Sequence, residues 1–237
     1  MNRTLMSIAL FVPFTLQCDP QASIDELPFE ETASHQECGC DAAKQHADEP
    51  RFEMGEMLDP ADLRDIEADD APAWGASDAP VSVVLFADYA CPYCARVVKT
   101  LHVVKADYGD RLRVVFRQLP LPIHAQAPDA ARAALAAADM GKFDAYQQSL
   151  YAHPDAHDIA GLERLAVALD LDVTGFRAAF GGTRTAERLE ADAELAKRLA
   201  VRGTPTMFVG GRRIIGAWPA DKLRLAIDSA LTEGARR

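Results

Sequence analysis

From Pro80 onward the hydrophobic positions fall into runs that switch between two periods. Val81 to Ala87 is short, mostly apolar and rich in β-branched residues, the pattern of a buried strand. Pro92 to Asp107 follows with Val97, Val98, Leu101 and Val104 at helical spacing, and Gly109 stops it. Leu112 to Gln118 returns to a strand pattern around Val114, Val115 and Phe116. Strand, helix, strand in that order predicts a right-handed crossover within a parallel sheet. From about Pro128 to Val201 the period is helical. Alanine-dense Ala130 to Met140 is broken by Gly141, and Phe143 to Tyr151, Leu162 to Leu169 and Val173 to Phe180 follow, the last ended by Gly181-Gly182. Thr183 to Leu199 is longer, with Leu189, Ala193, Ala196 and Ala200 predicted on one face. Thr206 to Val209 then reads as a strand, Gly210-Gly211 as a tight turn and Arg212 to Ile215 as the return strand. Leu223, Ile227, Ala230 and Leu231 mark a closing helix, and no internal repeat is visible.

Upstream of Pro80 the pattern is different. Met1-Asn-Arg3 gives a short positive start, and Thr4 to Leu16 is an apolar stretch of 13 residues. A bilayer-spanning helix needs roughly 20, whereas this length suits the core of an export signal. A buried N-terminal helix is the competing reading. Cys18 follows directly and resembles a bacterial lipoprotein site, although Leu16 lies one place too close and Gln17 replaces a small residue. Two outcomes stay open: a lipid anchor at Cys18, which is the only membrane attachment expected, or a soluble protein outside the cytoplasm. Residues 19–79 hold 18 of the 36 acidic residues against Lys44, Arg51 and Arg64. Like charge with sparse apolar residues does not offset chain entropy. Residues 1–18 are therefore expected to be a signal, and 19–74 an acidic, largely disordered tether, most mobile over Asp19 to Glu49. Within it Leu58 to Ile66 forms one short helix, with Asp59 as N-cap and Pro60 at the first helical position.

Composition narrows the class. A chain of 237 residues, 49% hydrophobic and 26% charged, can bury a core without disulfides and is not collagen, coiled coil or wholly disordered. A net charge of −11 argues against a nucleic-acid partner. Five cysteines are too few for a disulfide scaffold and odd in number.

The chemistry lies in Cys91-Pro-Tyr-Cys94, which follows a strand and opens a helix. Pro92 suits the first helical position. Cys91 then sits at the helix N-terminus, where free N–H groups and the dipole favour negative charge. Such a site can lower a thiol pKa from ~8.5 to roughly 3.5–7.5, and the thiolate is the nucleophile in disulfide exchange. Cys94, one turn on, is placed to resolve. Half of a zinc site, a structural disulfide and inert core thiols are the bland alternatives. The first lacks a second Cys/His pair in the globular part, and the second would be strained and reducible. Thr204-Pro205 precedes a strand, where proline is tolerated only at the start.

With these residues in view the globular part resembles the DsbA-like branch of the thioredoxin superfamily. The resemblance covers about residues 75–232. It rests on Asp78-Ala-Pro-Val81, Ala87-Asp-Tyr-Ala-Cys-Pro-Tyr-Cys94, Leu119-Pro-Leu-Pro122 and Gly203-Thr-Pro-Thr-Met-Phe-Val-Gly-Gly211. The 109 residues between Cys94 and Thr204 resemble the inserted helical domain of that branch, at about 124–201. Cys-Pro-Tyr-Cys also occurs in glutaredoxins, but the insertion and the export signal argue against one. The resemblance implies an α/β, thioredoxin-like fold with a helical insertion and an exported thiol–disulfide oxidoreductase. Cys91 would exchange, Cys94 resolve, and Thr204 with a cis-Pro205 dock the substrate beside Pro92 and Tyr93, which also tune the potential. His124 is expected to be a loop or cap residue. Relatives often carry a buried acid six positions before the first cysteine, and here that position is Leu85. Asp88, the nearest acid, is the candidate proton relay, with turn or helix-entry capping as its plainer role.

Cys38-Gly-Cys40, between His35 and His46, is a candidate second redox pair, a candidate soft-metal site, or an incidental pair in the arm. The leading expectation is an oxidase of dithiols in exported proteins, in the periplasm or cell envelope of a bacterium, recycled by an unidentified redox partner. A reductase or isomerase, a copper-handling protein and a non-catalytic peptide-binding module are the alternatives. The exchange requires no bound cofactor, and no metal is expected at Cys91 and Cys94.

Overall fold

A computed structural model of the protein describes residues 54–68 and 71–234. In chain order the elements are α1 (Pro60–Ile66), β1 (Ala73–Trp74), β2 (Val81–Ala87), α2 (Pro92–Tyr108), β3 (Leu112–Gln118), α3 (Ala127–Asp139), α4 (Phe143–Ala152), α5 (Ile159–Ala168), α6 (Val173–Gly181), α7 (Thr183–Arg198), β4 (Thr206–Val209), β5 (Arg212–Ile215) and α8 (Ala220–Gly234). The signal segment, the arm over Asp19 to Glu49, Cys18, Cys38 and Cys40 lie outside the described residues.

The strands form one sheet in the order β1-β3-β2-β4-β5. β2 and β3 are parallel, with Val81 opposite Leu112 and Ala87 opposite Gln118, and α2 is the crossover between them. β4 runs antiparallel to β2, β5 to β4, and β1 to β3. Both faces of β2 are covered, which is why its sequence is a continuous apolar run. Strand side chains alternate between faces. Val83, Leu85, Val114, Phe116, Met207 and Val209 enter the core with α2, α8 and the helices α3 to α6. Val84, Phe86, Val115 and Phe208 enter a second cluster with Ile66, Leu195, Ala196, Leu199 and Val201. The five helices α3 to α7 intervene between β3 and β4, as the helical periodicity predicts. Gly210 and Gly211, at φ 53° and 86°, make the β4–β5 turn with two left-handed residues. A Cβ on Gly210 would also stand 2.6 Å from the Ala230 Cβ.

Two expectations need correction. The folded body extends into the stretch assigned to the tether. Asp59 caps α1 as predicted, accepting from Ala61 N–H at 2.8 Å and Asp62 N–H at 2.9 Å. Beyond that, Ile66 is fully buried on the sheet and β1 pairs with β3. The acids of α1 stay outside the core, where Asp62 and Asp65 pair with Arg198 at 3.2 and 2.5 Å. Averaged composition hides this, because the apolar Leu58, Leu63 and Ile66 are few but spaced onto one face. The second correction is the buried face of α7, which is Thr185, Asp192, Leu195 and Ala196; Ala193 and Ala200 are exposed. The helix is rolled by a polar anchor. Asp192 accepts from Arg117 at 3.0 Å and from Gln118 N–H at 2.7 Å, both buried. Arg117 in turn donates to the carbonyls of Ile66 (3.1 Å) and Asp65 (2.8 Å) at the end of α1.

One edge of the sheet is covered and the other is short. Gly55 N–H donates to Arg213 O at 2.7 Å and Leu58 N–H to Gly211 O at 2.9 Å, with a bridge between Met57 and Arg212. At the far side β1 is two residues long. Among the described residues no helix is long and apolar enough to cross a membrane.

Candidate active site

Cys91 ends the loop after β2 and is the N-cap of α2, with extended backbone (φ −83°, ψ 117°) and Pro92 in the first turn. The N–H groups of Cys94 and Ala95 close that turn on the Cys91 carbonyl at 3.0 and 3.2 Å. Both cysteines are free thiols, Cys91 5% exposed and Cys94 not at all. The Thr204–Pro205 peptide is cis, as expected, and brings the Thr204 carbonyl to 3.4 Å from Cys91 Sγ. Residues on either side of the helical insertion thus meet at one sulfur. A thiol can donate to that carbonyl and a thiolate cannot, so ionising Cys91 frees the Thr204 oxygen for another donor.

The two sulfurs differ in electrostatics. Cys91 is lowered to about 5, chiefly by the Cys94 thiol donating to it, with help from the N–H of Cys94, the Thr204 hydroxyl and the N–H of Tyr93; burial opposes the shift. Cys94 is pushed far up, because its proton is held by Cys91 and its sulfur is buried. The N–H of Asp88 donates to Cys94 Sγ at 3.5 Å and partly offsets this. The arrangement supplies one stabilised thiolate and one protonated, shielded thiol a turn away.

Asp88 is buried, and its carboxylate organises the loops around the pair. Oδ1 accepts from Ala90 N–H at 2.7 Å; Oδ2 accepts from Leu121 N–H at 2.7 Å and pairs with His124 Nδ1 at 2.8 Å. The segment after β3 is thereby tied to the loop that carries Cys91. His124, read from sequence as a loop or cap residue, is a partner of Asp88. No local signal announces this, since 36 positions separate the two. Leu85, at the position where relatives often carry an acid, is fully buried in the apolar core. Pro92 and Tyr93 face outward; Tyr93 is 55% exposed and its ring lies under the Arg96 guanidinium at 5.3 Å. Ile123 is exposed on the Asp88-bound segment. Among the described residues no group of three or more His, Cys, Asp or Glu side chains could hold a metal ion. The candidate second pair, Cys38 and Cys40, and the candidate lipid site, Cys18, are not among those residues.

Comparison with known proteins agrees with this geometry. The family model described as Thioredoxin matches residues 67–229. In sequence the chain is 40% identical over 164 residues to a protein named Na(+)/H(+) antiporter NhaA 3 from Salinispora tropica, a match that takes in 69% of this chain and 25% of that protein. A protein named Na(+)/H(+) antiporter NhaA 1 from Mycolicibacterium gilvum is 36% identical over 170 residues, 70% of this chain and 28% of that one. The chain thus spans about a quarter of the length of the curated relatives it matches. Among solved structures, a thioredoxin-like oxidoreductase from Silicibacter pomeroyi superposes with TM-score 0.62 at 28% identity, over 70% of this chain and 96% of that one. The catalytic domain of Proteus mirabilis ScsC gives 0.63 at 26% identity, over 73% and 96%. The thiol-disulfide exchange protein alpha-DsbA2 from Wolbachia pipientis gives 0.65 at 21% identity, over 70% and 90%, a likeness of fold alone. With the strand–CxxC–helix unit, the cis-proline loop and the helices inserted between them all in place, the chain belongs to the thioredoxin family.

Proposed function

We propose that the protein is an exported thiol–disulfide oxidoreductase that oxidises dithiols in extracytoplasmic proteins through Cys91 and Cys94. The observation that carries this reading is the inequality of the two sulfurs: a Cys91 thiolate held at a helix N-terminus beside the Thr204 carbonyl, and a Cys94 thiol sealed behind it. In the oxidised protein a substrate thiolate attacks the Cys91 sulfur. The Cys91–Cys94 bond breaks, Cys94 leaves and is protonated, and a mixed disulfide remains on Cys91. A second substrate thiolate attacks its partner sulfur, forms the substrate disulfide and expels Cys91. Exchange runs faster when the leaving thiol has a low pKa, so a stabilised Cys91 thiolate favours release of an oxidised substrate.

Thr204 and Pro205 dock the substrate backbone, and Pro92 and Tyr93 border the place where it enters. Asp88, the candidate relay, has its carboxylate engaged by two N–H groups and His124, which favours anchoring as its role. Substrates are exported proteins with free thiols or disulfides, and a separate redox partner restores the disulfide. A periplasmic or envelope location agrees with the signal-like N-terminus and with a periplasmic thioredoxin-like protein from Salmonella enterica serovar Typhimurium among the structural neighbours. Lipidation of Cys18 is the candidate anchor.

The deciding measurement is the reduction potential of Cys91–Cys94 with Cys18, Cys38 and Cys40 replaced by serine. A value near about −120 mV is expected of a disulfide donor, and one near about −270 mV would turn the reading to a reductase.

A further inference from the structure

Single exposed apolar side chains are ordinary on a protein surface. Here their placement is not scattered. Among the described residues the two most exposed large apolar side chains are Ile123, 81% accessible, and Ile215, 72%. Both stand at the end of the sheet that carries the cysteines. β2 and β3 are parallel, so the residues that follow β3 lie at the end where β2 runs into Cys91. β4 runs against β2 and starts at this same end, directly after cis-Pro205. β5 runs against β4 and finishes here, with Ile215 opposite Thr206 and the N–H of Gly216 donating to Pro205 O at 2.9 Å. Across the strand ends the order is therefore the Ile123 segment, the Cys91 loop with exposed Tyr93, the Thr204–Pro205 loop and Ile215.

Ile123 is also held in place by the residue that shapes the Cys91 loop. Leu121 to His124 is a tight turn, closed by His124 N–H on Leu121 O at 2.9 Å, with Pro122 at the second position, which suits its fixed φ. The two ends of the turn meet on one buried oxygen: Asp88 Oδ2 accepts from Leu121 N–H at 2.7 Å and pairs with His124 Nδ1 at 2.8 Å. The Asp88 carbonyl accepts from Cys91 N–H at 3.2 Å, so the turn and the attacking sulfur are anchored to the same residue. Turn positions such as that of Ile123 commonly go to Gly, Asn, Asp or Ser. A β-branched apolar side chain adds nothing to the turn and is left in water, so its use lies with a partner from outside. Ile215 is fixed in turn by the pairing of β5 with β4.

We propose that Ile123 and Ile215 are specificity contacts for the substrate chain, taking apolar side chains on either side of the cysteine that reacts with Cys91. This rests on the reading of Cys91 and Cys94 as an exchanging pair, and it narrows the substrates to thiols within apolar segments. β3 and β5 are three strand spacings apart, roughly 14 Å, a span that four or five residues of extended chain cover. A segment docked on the Thr204 backbone with its sulfur at Cys91 therefore has an apolar contact to each side. Cysteines with apolar neighbours are open to such contacts while the substrate is unfolded and lose them once its core has formed. The selection thus favours unfinished chains over folded protein.

The test uses oxidised protein, with Cys18, Cys38 and Cys40 replaced by serine, and two neutral peptides of equal length. Each peptide carries two reduced cysteines, flanked by leucines in one and by serines in the other. Peptide oxidation is followed under single-turnover conditions by acid quench and mass spectrometry, and the ratio of the two rates is read. The parent is expected to prefer the leucine peptide by about tenfold, the worth of a partly buried leucine side chain. Ile123→Ser and Ile215→Ser should each lose part of that preference, and the double variant should bring the ratio close to one. The melting temperature of these variants should match the parent's, since neither side chain is buried. Val103→Ser is the control: that exposed residue lies about three turns along α2 from Cys91, and its loss should keep the preference. Equal rates for the two peptides in the parent, a full preference in the double variant, or an equal loss in Val103→Ser overturns the apolar contacts while the exchange reading stands. An oxidised parent that converts neither peptide nor dithiothreitol overturns the exchange reading and the contacts with it.

Discussion

A sulfur at the first turn of a helix meets N–H groups that have no carbonyl to serve. Cys91 adds to these the proton of Cys94, and the combined effect is a thiolate from about pH 5 upward. Alkylation of Cys91 by iodoacetamide should accordingly rise with pH through a midpoint near 5, with Cys94 unlabelled in the folded protein; the ordinary midpoint of about 8.5 would refute the assignment. Asp88→Asn should leave that midpoint in place, because the hydrogen bonds of its carboxylate run to Ala90, Leu121 and His124. Rates resolved by mass spectrometry across pH 4–10 check both. At this scale the sequence was informative where the signal is local. Cys91 to Cys94 carry their geometry in four letters, and Gly203-Thr-Pro carries the loop. The tie between Asp88 and His124 depends on residues brought together only by the finished fold.

Elements were legible to the extent that one force set them. Val81 to Ala87 and Leu112 to Gln118 are apolar along their length because both faces are covered, and the structure ends them at the same residues. Helix α7 was legible as a helix but not in its rotation. Its alanines fit several faces about equally, and Asp192, which reads as a surface residue, points inward to Arg117. Removing one member of a buried ion pair strands the other. Asp192→Ala should therefore cost about 3–5 kcal/mol in urea denaturation, and a loss below 1 kcal/mol would show that the pair is not an anchor. The same pair explains why the docking of α1 on the sheet, though not the helix itself, escaped the compositional reading. Arg117 also holds the last carbonyls of α1, so that helix is fixed by a strand residue 51 and 52 positions away as well as by its own apolar face.

For the whole molecule, the chain leaves the sheet after β3 and returns to it through the Thr204 loop, with the five helices α3 to α7 between. The inserted helices are not independent of the strands that frame the two sulfurs, because Asp192 of α7 holds Arg117 and Gln118 of β3. The matched relatives place a similar stretch within much longer proteins, which suits a unit whose chemistry is complete within its own sheet. Its margins are as telling as its centre. The backbone of residues 55–58 occupies the outer side of β5, and at the opposite side β1 offers two residues. Deleting residues 1–58 should bare β5 and yield concentration-dependent self-association in light scattering, with disulfide exchange retained; a monodisperse truncated protein would remove this role from the 55–58 segment. In the proposed role the protein works among partners rich in unpaired backbone, the material that seeds fibrils and amorphous aggregates. With residues 55–58 along β5 and only two residues in β1, the sheet offers such clients little edge to extend, so an encounter is expected to end as a brief covalent bond at one sulfur and not as permanent capture.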